Sequence, residues 1–168
     1  MIEGAKEMRD RLAELGLLSF CKTTGGKGLH VVTPLARPRK GKTFSWAAAK
    51  QFARDVCGQM ASDSPDRYLI NMSKAKRTGK IFLDYLRNDQ FATAVAPLSP
   101  RGRPNAPVSM PVVWAQVRRG LNPLQFTIHT VPALLKKSKA WAGYCEAERP
   151  PLEAIARLTR RSRLVRAA

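Results

Sequence analysis

The sequence has few cysteines and no long apolar run, and both shortages limit what the protein can be. Cys21, Cys57 and Cys145 lie far apart, are odd in number and form no Cys-x-x-Cys pair, so neither a disulfide framework nor a zinc site is expected. No segment approaches the roughly 18 apolar residues of a membrane span. The opening "MIEGAKEMRDRLAELG" is charged throughout. We therefore expect no membrane association, no export, and a location in a reducing cytoplasm.

Acidic residues are also scarce. The 168 residues include 12 Asp and Glu against 30 Lys and Arg, which gives a formal net charge of +18. This charge is far above what solubility requires and creates a field that attracts polyanions. Nucleic acid is the expected class of partner, although a generally basic or ribosome-associated protein would carry a similar charge. The 44% hydrophobic content is enough for one folded domain.

The apolar pattern mixes helices and strands without regular βαβ alternation, which predicts an α+β fold. Ser45 is the expected cap of a helix whose apolar stripe includes the aromatic residues Trp46 and Phe52. The stretch from Pro97 to Pro111 contains five prolines and predicts an ordered irregular loop. Helices are expected over 2–15, from 46 to the turn at 62–65, over 131–144 and over 152–168; strands are expected over 17–24, 29–35, 81–86, 91–98 and 124–130.

The first candidate site is the turn in "CKTTGGKGLHVV" between two predicted strands. Glycine adopts positive φ at low cost, and successive backbone N–H groups in such a turn can form a concavity for an anion. Thr24 adds a hydroxyl group and Lys27 a charge. It is not a Walker A loop, because no Ser or Thr follows the lysine and a strand comes next. From these residues alone, a plain hairpin turn with a solvated Lys27, and a His30 that only packs, remain open.

The second candidate is Asp84, the single acid within the apolar run "KIFLDYLRN". A carboxylate buried in a strand is costly without a partner, so we expect a cation or a metal ion beside it. A structural pair with Arg87 is the alternative. In a regular strand Arg87 would lie on the opposite face, so the pair requires that the strand end by Leu86.

Two basic segments complete the candidates. Arg101 and Arg103 lie in the proline-rich loop, where a rigid guanidinium fork suits phosphate and a stiff loop loses little entropy on binding. A solvated surface is the alternative for this loop. A second cluster suits a nucleic-acid backbone better than a particular base, and it consists of Lys74, Lys76, Arg77 and Lys80.

Three segments, in this order and spacing, resemble the polymerase domain of bacterial DNA ligase D, a member of the archaeo-eukaryotic primase superfamily. They are "KTTGGKGLHVV", "MSKAKRTGKIFLDYLRN" and "TAVAPLSPRGRPNAPVSMPVVW". The resemblance runs from about Glu3 to about Gly143. It implies a mixed, largely antiparallel sheet flanked by helices, as the C-terminal portion of the superfamily fold without its N-terminal part. We expect this portion over residues 1–148 and a basic helical tail over 149–168.

The resemblance also implies residue roles. Thr24 and His30 match positions that contact the phosphates of the incoming nucleotide, and Arg87 and Arg101 match arginines that hold the triphosphate. Lys27 is expected only to support them electrostatically. Asp84 matches the third metal-binding carboxylate, so Asp84 and His30 are the candidate catalytic residues. Two divalent ions, Mn or Mg, bridge the primer hydroxyl and the α-phosphate in this chemistry.

The family implies templated or end-directed addition of nucleotides at DNA breaks during non-homologous end joining. The implied partners are DNA ends, nucleoside triphosphates, the end-binding protein Ku and a ligase module, and the implied location is the bacterial nucleoid. None of these follows from composition.

One family motif is missing, because no Asp-x-Asp occurs in the 168 residues. Two of the three expected metal carboxylates are therefore lacking, and we expect the chain alone to be inactive. The first hypothesis is a truncated or split polymerase that works with a separate chain supplying the missing half. The second is a non-catalytic remnant that binds nucleotide and DNA. A third is a general basic nucleic-acid protein with vestigial motifs.

Overall fold

The computed structural model describes the backbone of residues 1–167, and the side chains of all of these except 162 and 164–167. Residue 168, the last position of the expected tail helix, lies outside the described residues. The chain forms two compact units, which we describe separately. The first comprises Met1–Pro34 and Val95–Arg149, and the second Leu35–Ala94 and Pro150–Ala168.

The elements are helices and short strands in an irregular order. In chain order they are α1 (Ile2–Glu14), β1 (Phe20–Thr23), β2 (Leu29–Val32), α2 (Trp46–Asp63), β3 (Tyr68–Leu69), β4 (Ile81–Phe82), β5 (Pro111–Val112), α3 (Val131–Leu135) and α4 (Pro151–Ala167). Short 3-10 helices cover Lys74–Arg77, Trp114–Gln116 and Pro123–Gln125.

The first unit is built on an antiparallel sheet in the order β2-β1-β5. The β1–β2 hairpin pairs Cys21 with Val31 and Lys22 with His30, and β5 pairs Val112 with Cys21 on the other edge of β1. One apolar cluster packs on this sheet and consists of Ala5, Cys21, Val108, Met110, Val112, Val117, Phe126 and Val131. The central strand is thus held on both edges at the point where the glycine turn begins.

The second unit is built around α2 and a small parallel sheet, in which β3 pairs with β4. The Ser45 hydroxyl accepts a hydrogen bond from the Ala48 N–H at 3.1 Å and caps α2 as expected. The buried side chains come from α2, β3, α4 and the residue after β4; they are Phe52, Val56, Cys57, Met60, Tyr68, Leu83, Pro151, Ala154 and Leu158.

The α+β fold, the hairpin, helices α1 and α2, the irregular proline-rich loop and the tail helix are confirmed in the described residues. Other predictions are wrong. Residues 91–98 form no strand, residues 124–130 form a 3-10 helix, one antiparallel bridge between Thr127 and Pro107, and a turn, and the helix expected over 131–144 ends at Leu135. Trp46 is 56% exposed and does not join the core. The expected strand over 81–86 ends at Phe82.

No helix within the described residues is long and apolar enough to cross a membrane.

Candidate functional site

The glycine turn joins β1 to β2 and is tightly closed. Both the backbone N–H and the hydroxyl of Thr24 donate to the Gly28 carbonyl, each at 3.2 Å. Gly25 has a φ of +63° and is buried, a conformation that glycine adopts far more readily than other residues. Lys27 is exposed. The Thr24 hydroxyl is thus bonded within the turn, and Lys27 is accessible to an anion.

The proline-rich loop lies directly against this turn. A methyl group at Gly25 would lie 2.5 Å from Arg101 Cγ and 3.0 Å from the Pro107 carbonyl oxygen. The Arg101 guanidinium donates to the Thr24 carbonyl at 3.4 Å. A methyl group at Gly26 would lie 3.1 Å from Arg103 Nη1. The structure therefore brings the predicted residues Thr24 and Arg101 into contact, and it places Arg103, the second predicted arginine of the loop, at the adjacent glycine.

A buried lysine lies at the base of the turn. Lys22 is 3% exposed, and its ammonium group donates to the Val95 carbonyl at 2.7 Å and to Ser109 Oγ at 2.9 Å. Ser109 Oγ in turn donates to the Thr23 carbonyl at 2.7 Å. Lysine is rarely this buried without a carboxylate partner. Here neutral oxygens solvate the charge and tie β1 to both ends of the loop that carries Arg101.

Burial lowers the pKa of Lys22 from 10.5 to about 8. The neighbouring Cys21 thiol opposes this shift, and the positive charge of Arg101 adds to it. His30 is paired with Lys22 across the hairpin and is partly buried. Opposite residues in an antiparallel pair lie on the same face of the sheet, so Lys22 and His30 share a face. With Arg101, which donates to the Thr24 carbonyl, they place three basic groups near the start of the turn.

The second unit holds Asp84 and Arg87. Asp84 is outside the strand and exposed, because β4 ends at Phe82; the expected burial of this carboxylate is wrong. Its Oδ1 accepts the Leu86 N–H at 3.1 Å, and its Oδ2 lies 3.5 Å from Arg87 Nε. Arg87 also donates to the Thr93 carbonyl. The alternative pair between Asp84 and Arg87 is therefore present as a loose, exposed contact.

The basic cluster also belongs to the second unit. Lys74 and Lys76 are exposed on a 3-10 helix. Arg77 donates to the Met72 carbonyl at 2.6 Å and lies 4.0 Å from the centre of the Phe82 ring. Lys80 donates to the Pro65 carbonyl at 2.8 Å. Arg77 and Lys80 thus brace the segment, while Lys74 and Lys76 present their charges to solvent.

The predicted metal site is not complete in the described part of the chain. No group of three or more His, Cys, Asp or Glu residues there is close enough to hold a metal ion. Asp84 offers a single carboxylate, already shared with a backbone N–H and an arginine. These residues do not fit a two-metal centre, and no reaction step through a metal is derived from them.

No sequence motif assigned Lys22 or Ser109 to the site. The available signal was a lysine inside a predicted strand, directly before the glycine motif. Its burial depends on Val95 and Ser109, which are 73 and 87 residues away along the chain. Spacing along the sequence could not predict that contact.

The first unit is an α+β domain in which an antiparallel sheet carries a glycine turn covered by arginine. The sequence model of the LigD primase-polymerase domain matches residues 1–141. The chain therefore belongs to the LigD primase-polymerase domain family, and the resemblance of the three motifs is confirmed.

Similar proteins agree with this assignment. The chain is 37% identical over 147 residues to the multifunctional non-homologous end joining protein LigD of Pseudomonas aeruginosa, which covers 86% of this chain and 17% of that protein. It is 28% identical over 156 residues to the bifunctional non-homologous end joining protein LigD of Bacillus subtilis, which covers 92% of this chain and 25% of the relative.

A solved structure matches the fold. The polymerase domain from Mycobacterium tuberculosis ligase D in complex with DNA superposes with a TM-score of 0.77 and 31% identity. The match covers 89% of this chain and 50% of that one. The chain thus spans half of that polymerase domain and a quarter or less of the full-length relatives.

Proposed function

We propose that this chain is part of a LigD-type primase-polymerase that binds a nucleoside triphosphate and a DNA end during non-homologous end joining. The observation that carries the proposal is the packing of Arg101 on the turn at Gly25, within a chain of this family. Repair by end joining is taken from the names of the relatives. Ku and a ligase module are the partners that this role calls for.

The triphosphate is proposed to bind at the arginine-covered turn of the first unit. The exposed Lys27, the guanidinium groups of Arg101 and Arg103, and the N–H groups of the turn offer charge and donors suited to phosphate oxygens. His30 and Thr24 keep their proposed phosphate contacts. Because the Thr24 hydroxyl donates to Gly28, it has to rotate away from that carbonyl in order to donate to a phosphate.

The second unit contributes two further sets of proposed contacts. Lys74 and Lys76 are proposed to neutralise the DNA backbone, and Arg77 and Lys80 to support them. Arg87 keeps its predicted role as a phosphate ligand, for which its guanidinium exchanges the loose contact with Asp84 for phosphate oxygens. That exchange also frees Asp84 Oδ2 to accept a different cation. DNA binding is taken from the solved relative, which is a complex with DNA.

Nucleotidyl transfer requires carboxylates that the described residues do not assemble. We propose that Asp84 is one ligand of a Mg or Mn ion and that an Asp-x-Asp pair outside these 168 residues supplies the remaining carboxylates. The ions would stabilise the charge that develops on the transferred phosphate. The residues of this chain bind and orient the triphosphate.

The second candidate function is binding of nucleotide and DNA without chemistry. The incomplete carboxylate set favours it. It differs from the first candidate in one outcome, the response to an added carboxylate-bearing partner.

The test is primer extension with a labelled primer-template, nucleoside triphosphates and Mn²⁺. We expect no product with the chain alone, and product when a second polypeptide carrying the Asp-x-Asp part of a LigD polymerase domain is added. The Asp84→Asn variant is the control and should abolish product in the mixture. Extension by the chain alone would contradict the proposal, and persistent inactivity of a mixture that still binds nucleotide would favour the non-catalytic candidate.

A further inference from the structure

The C-terminal segment is unusual in its charged residues. Residues 150–168 contain five arginines, no lysine, a single acid at Glu153 and no aromatic residue. The family model matches residues 1–141 and therefore does not include this segment. The functions proposed above make no use of it.

Helix α4 has one buried face and one charged face. Pro151, Ala154 and Leu158 are buried within the second unit. Their spacing of three and four residues marks one side of an α-helix. The charged face is exposed and is formed by Arg157, Arg160 and Arg163. None of these three has an ion pair with any other residue that the structure describes.

The three arginines form a line along the helix. They recur every three residues, and at a rise of about 1.5 Å per residue the line is about 9 Å long. Duplex DNA carries about one charge per 1.7 Å of its axis, counting both strands. A duplex lying beside α4 would therefore offer several phosphates within reach of this line.

The chemistry of the face distinguishes between classes of partner. An amphipathic helix binds a membrane through an exposed apolar face, but Pro151, Ala154 and Leu158 on the apolar side of α4 are buried. Recognition of unpaired bases uses aromatic side chains for stacking, and the segment has none. The exclusive use of arginine suits bidentate contacts to phosphate. These features favour the backbone of duplex DNA.

We propose that Arg157, Arg160 and Arg163 on α4 form a binding surface for the phosphate backbone of duplex DNA, separate from the triphosphate-binding turn. This inference rests on the proposed function only in taking DNA as the partner. Through this surface the chain binds duplex DNA without requiring a bound nucleotide.

The experiment measures the affinity of the full chain for a fluorescent 20-base-pair duplex as a function of salt. The triple variant Arg157→Gln, Arg160→Gln, Arg163→Gln is compared with the wild type. A control triple variant removes the same charge from exposed positions of the first unit, as Lys136→Gln, Lys137→Gln, Lys139→Gln. Circular dichroism verifies the fold of both variants, and titration with a nucleoside triphosphate tests the turn independently.

The α4 variant is expected to reduce the slope of log K against log salt by about 0.9 per lost phosphate contact, or about 2.7 for three contacts. The control variant should change this slope by less than about 0.9, the value for one phosphate contact. The affinity for the nucleotide should be unchanged in both variants. Equal losses in the two variants would overturn the inference, because they would indicate a response to net charge alone. An unchanged slope in the α4 variant would also overturn it. If the wild-type chain does not bind the nucleoside triphosphate, that result would instead contradict the proposed function.

Discussion

At the scale of single residues, the site depends on two positions whose chemistry is exceptional. Gly25 lacks a side chain where Arg101 Cγ and the Pro107 carbonyl approach it. Lys22 keeps an ammonium group in the interior with only neutral acceptors. The first allows the arginine to cover the turn, and the second ties the turn to the loop that carries this arginine.

Replacing Gly25 with alanine should destabilise the first unit and displace Arg101. A residue other than glycine at φ of +63° costs about 1 to 2 kcal/mol, and the overlap with Arg101 and Pro107 adds about 1 to 3 kcal/mol. Urea denaturation followed by circular dichroism measures the loss of unfolding free energy.

Gly41→Ala is the matched control. Gly41 has a φ of +83° but nothing within 4 Å of the added methyl group, so only the backbone cost of about 1 to 2 kcal/mol applies. Equal losses in the two variants would show that the contact of Arg101 with the turn is unimportant for stability.

Lys22 should make stability rise with pH in a narrow window. The folded chain holds the pKa of Lys22 at about 8, below its ordinary 10.5, so between these values the unfolded chain binds more protons and unfolding becomes less favourable as pH rises. Burial raises the pKa of Cys21 and of Cys57 from 9.0 to about 12, which lowers stability only above pH 9.

Between pH 8 and pH 9, the unfolding free energy of the wild type should therefore rise by about 1 kcal/mol relative to that of the Lys22→Met variant, which lacks the titrating group. Urea denaturation of both proteins at the two pH values measures it. If the wild type and the variant show the same change with pH, the lysine is not held at a lowered pKa.

At the scale of elements, the sequence predicted those whose stability is local. Helix α2 has a capping serine and an apolar stripe, and the hairpin has a glycine turn; both formed as expected. The predicted strands that did not form lie in segments whose backbone groups make other hydrogen bonds, which the local apolar pattern does not indicate. In the stretch 91–98 the Thr93 carbonyl accepts from the Arg87 side chain instead of a neighbouring strand, and Pro97 has no N–H to donate.

The stretch 124–130 failed for a related reason. The Thr130 hydroxyl donates to the Gln125 carbonyl and accepts the Thr127 N–H. Side chains that bond to the nearby backbone compete with a strand ladder and favour turns. The pairing of "FTI" is therefore limited to one antiparallel bridge, Thr127 with Pro107, and two threonines turn the chain directly after it.

Removing the cap of α2 should weaken the second unit. Ser45→Ala loses the hydrogen bond to the Ala48 N–H and should reduce the unfolding free energy by about 1 kcal/mol. Ser62→Ala, at an exposed position near the other end of the same helix, is the control and should be neutral within about 0.5 kcal/mol. Urea denaturation followed by circular dichroism at 222 nm measures the unfolding free energy of both variants. Equal losses would argue against a role for the cap.

At the scale of the whole molecule, the motifs predicted the family and the glycine turn, because each motif is a continuous stretch of sequence. The part that could not be predicted was the environment of each charge. Asp84 was expected in a strand and lies exposed after it, and Lys22 was not assigned to the site and is buried at its base. Burial depends on distant segments, which a single sequence does not identify. The boundary at residue 148 and the residue roles stay predictions.

The central claim is that the arginine-covered glycine turn binds a triphosphate, and direct titration tests it. A fluorescent nucleoside triphosphate is titrated into the wild type, Arg101→Ala and the control Arg118→Ala, which is exposed in the same unit. A hydrogen bond to a charged group contributes about 1.5 to 3 kcal/mol. We predict saturable binding by the wild type, an affinity lower by about tenfold or more in Arg101→Ala, and no change in Arg118→Ala. Equal affinity of Arg101→Ala and the wild type would contradict the account.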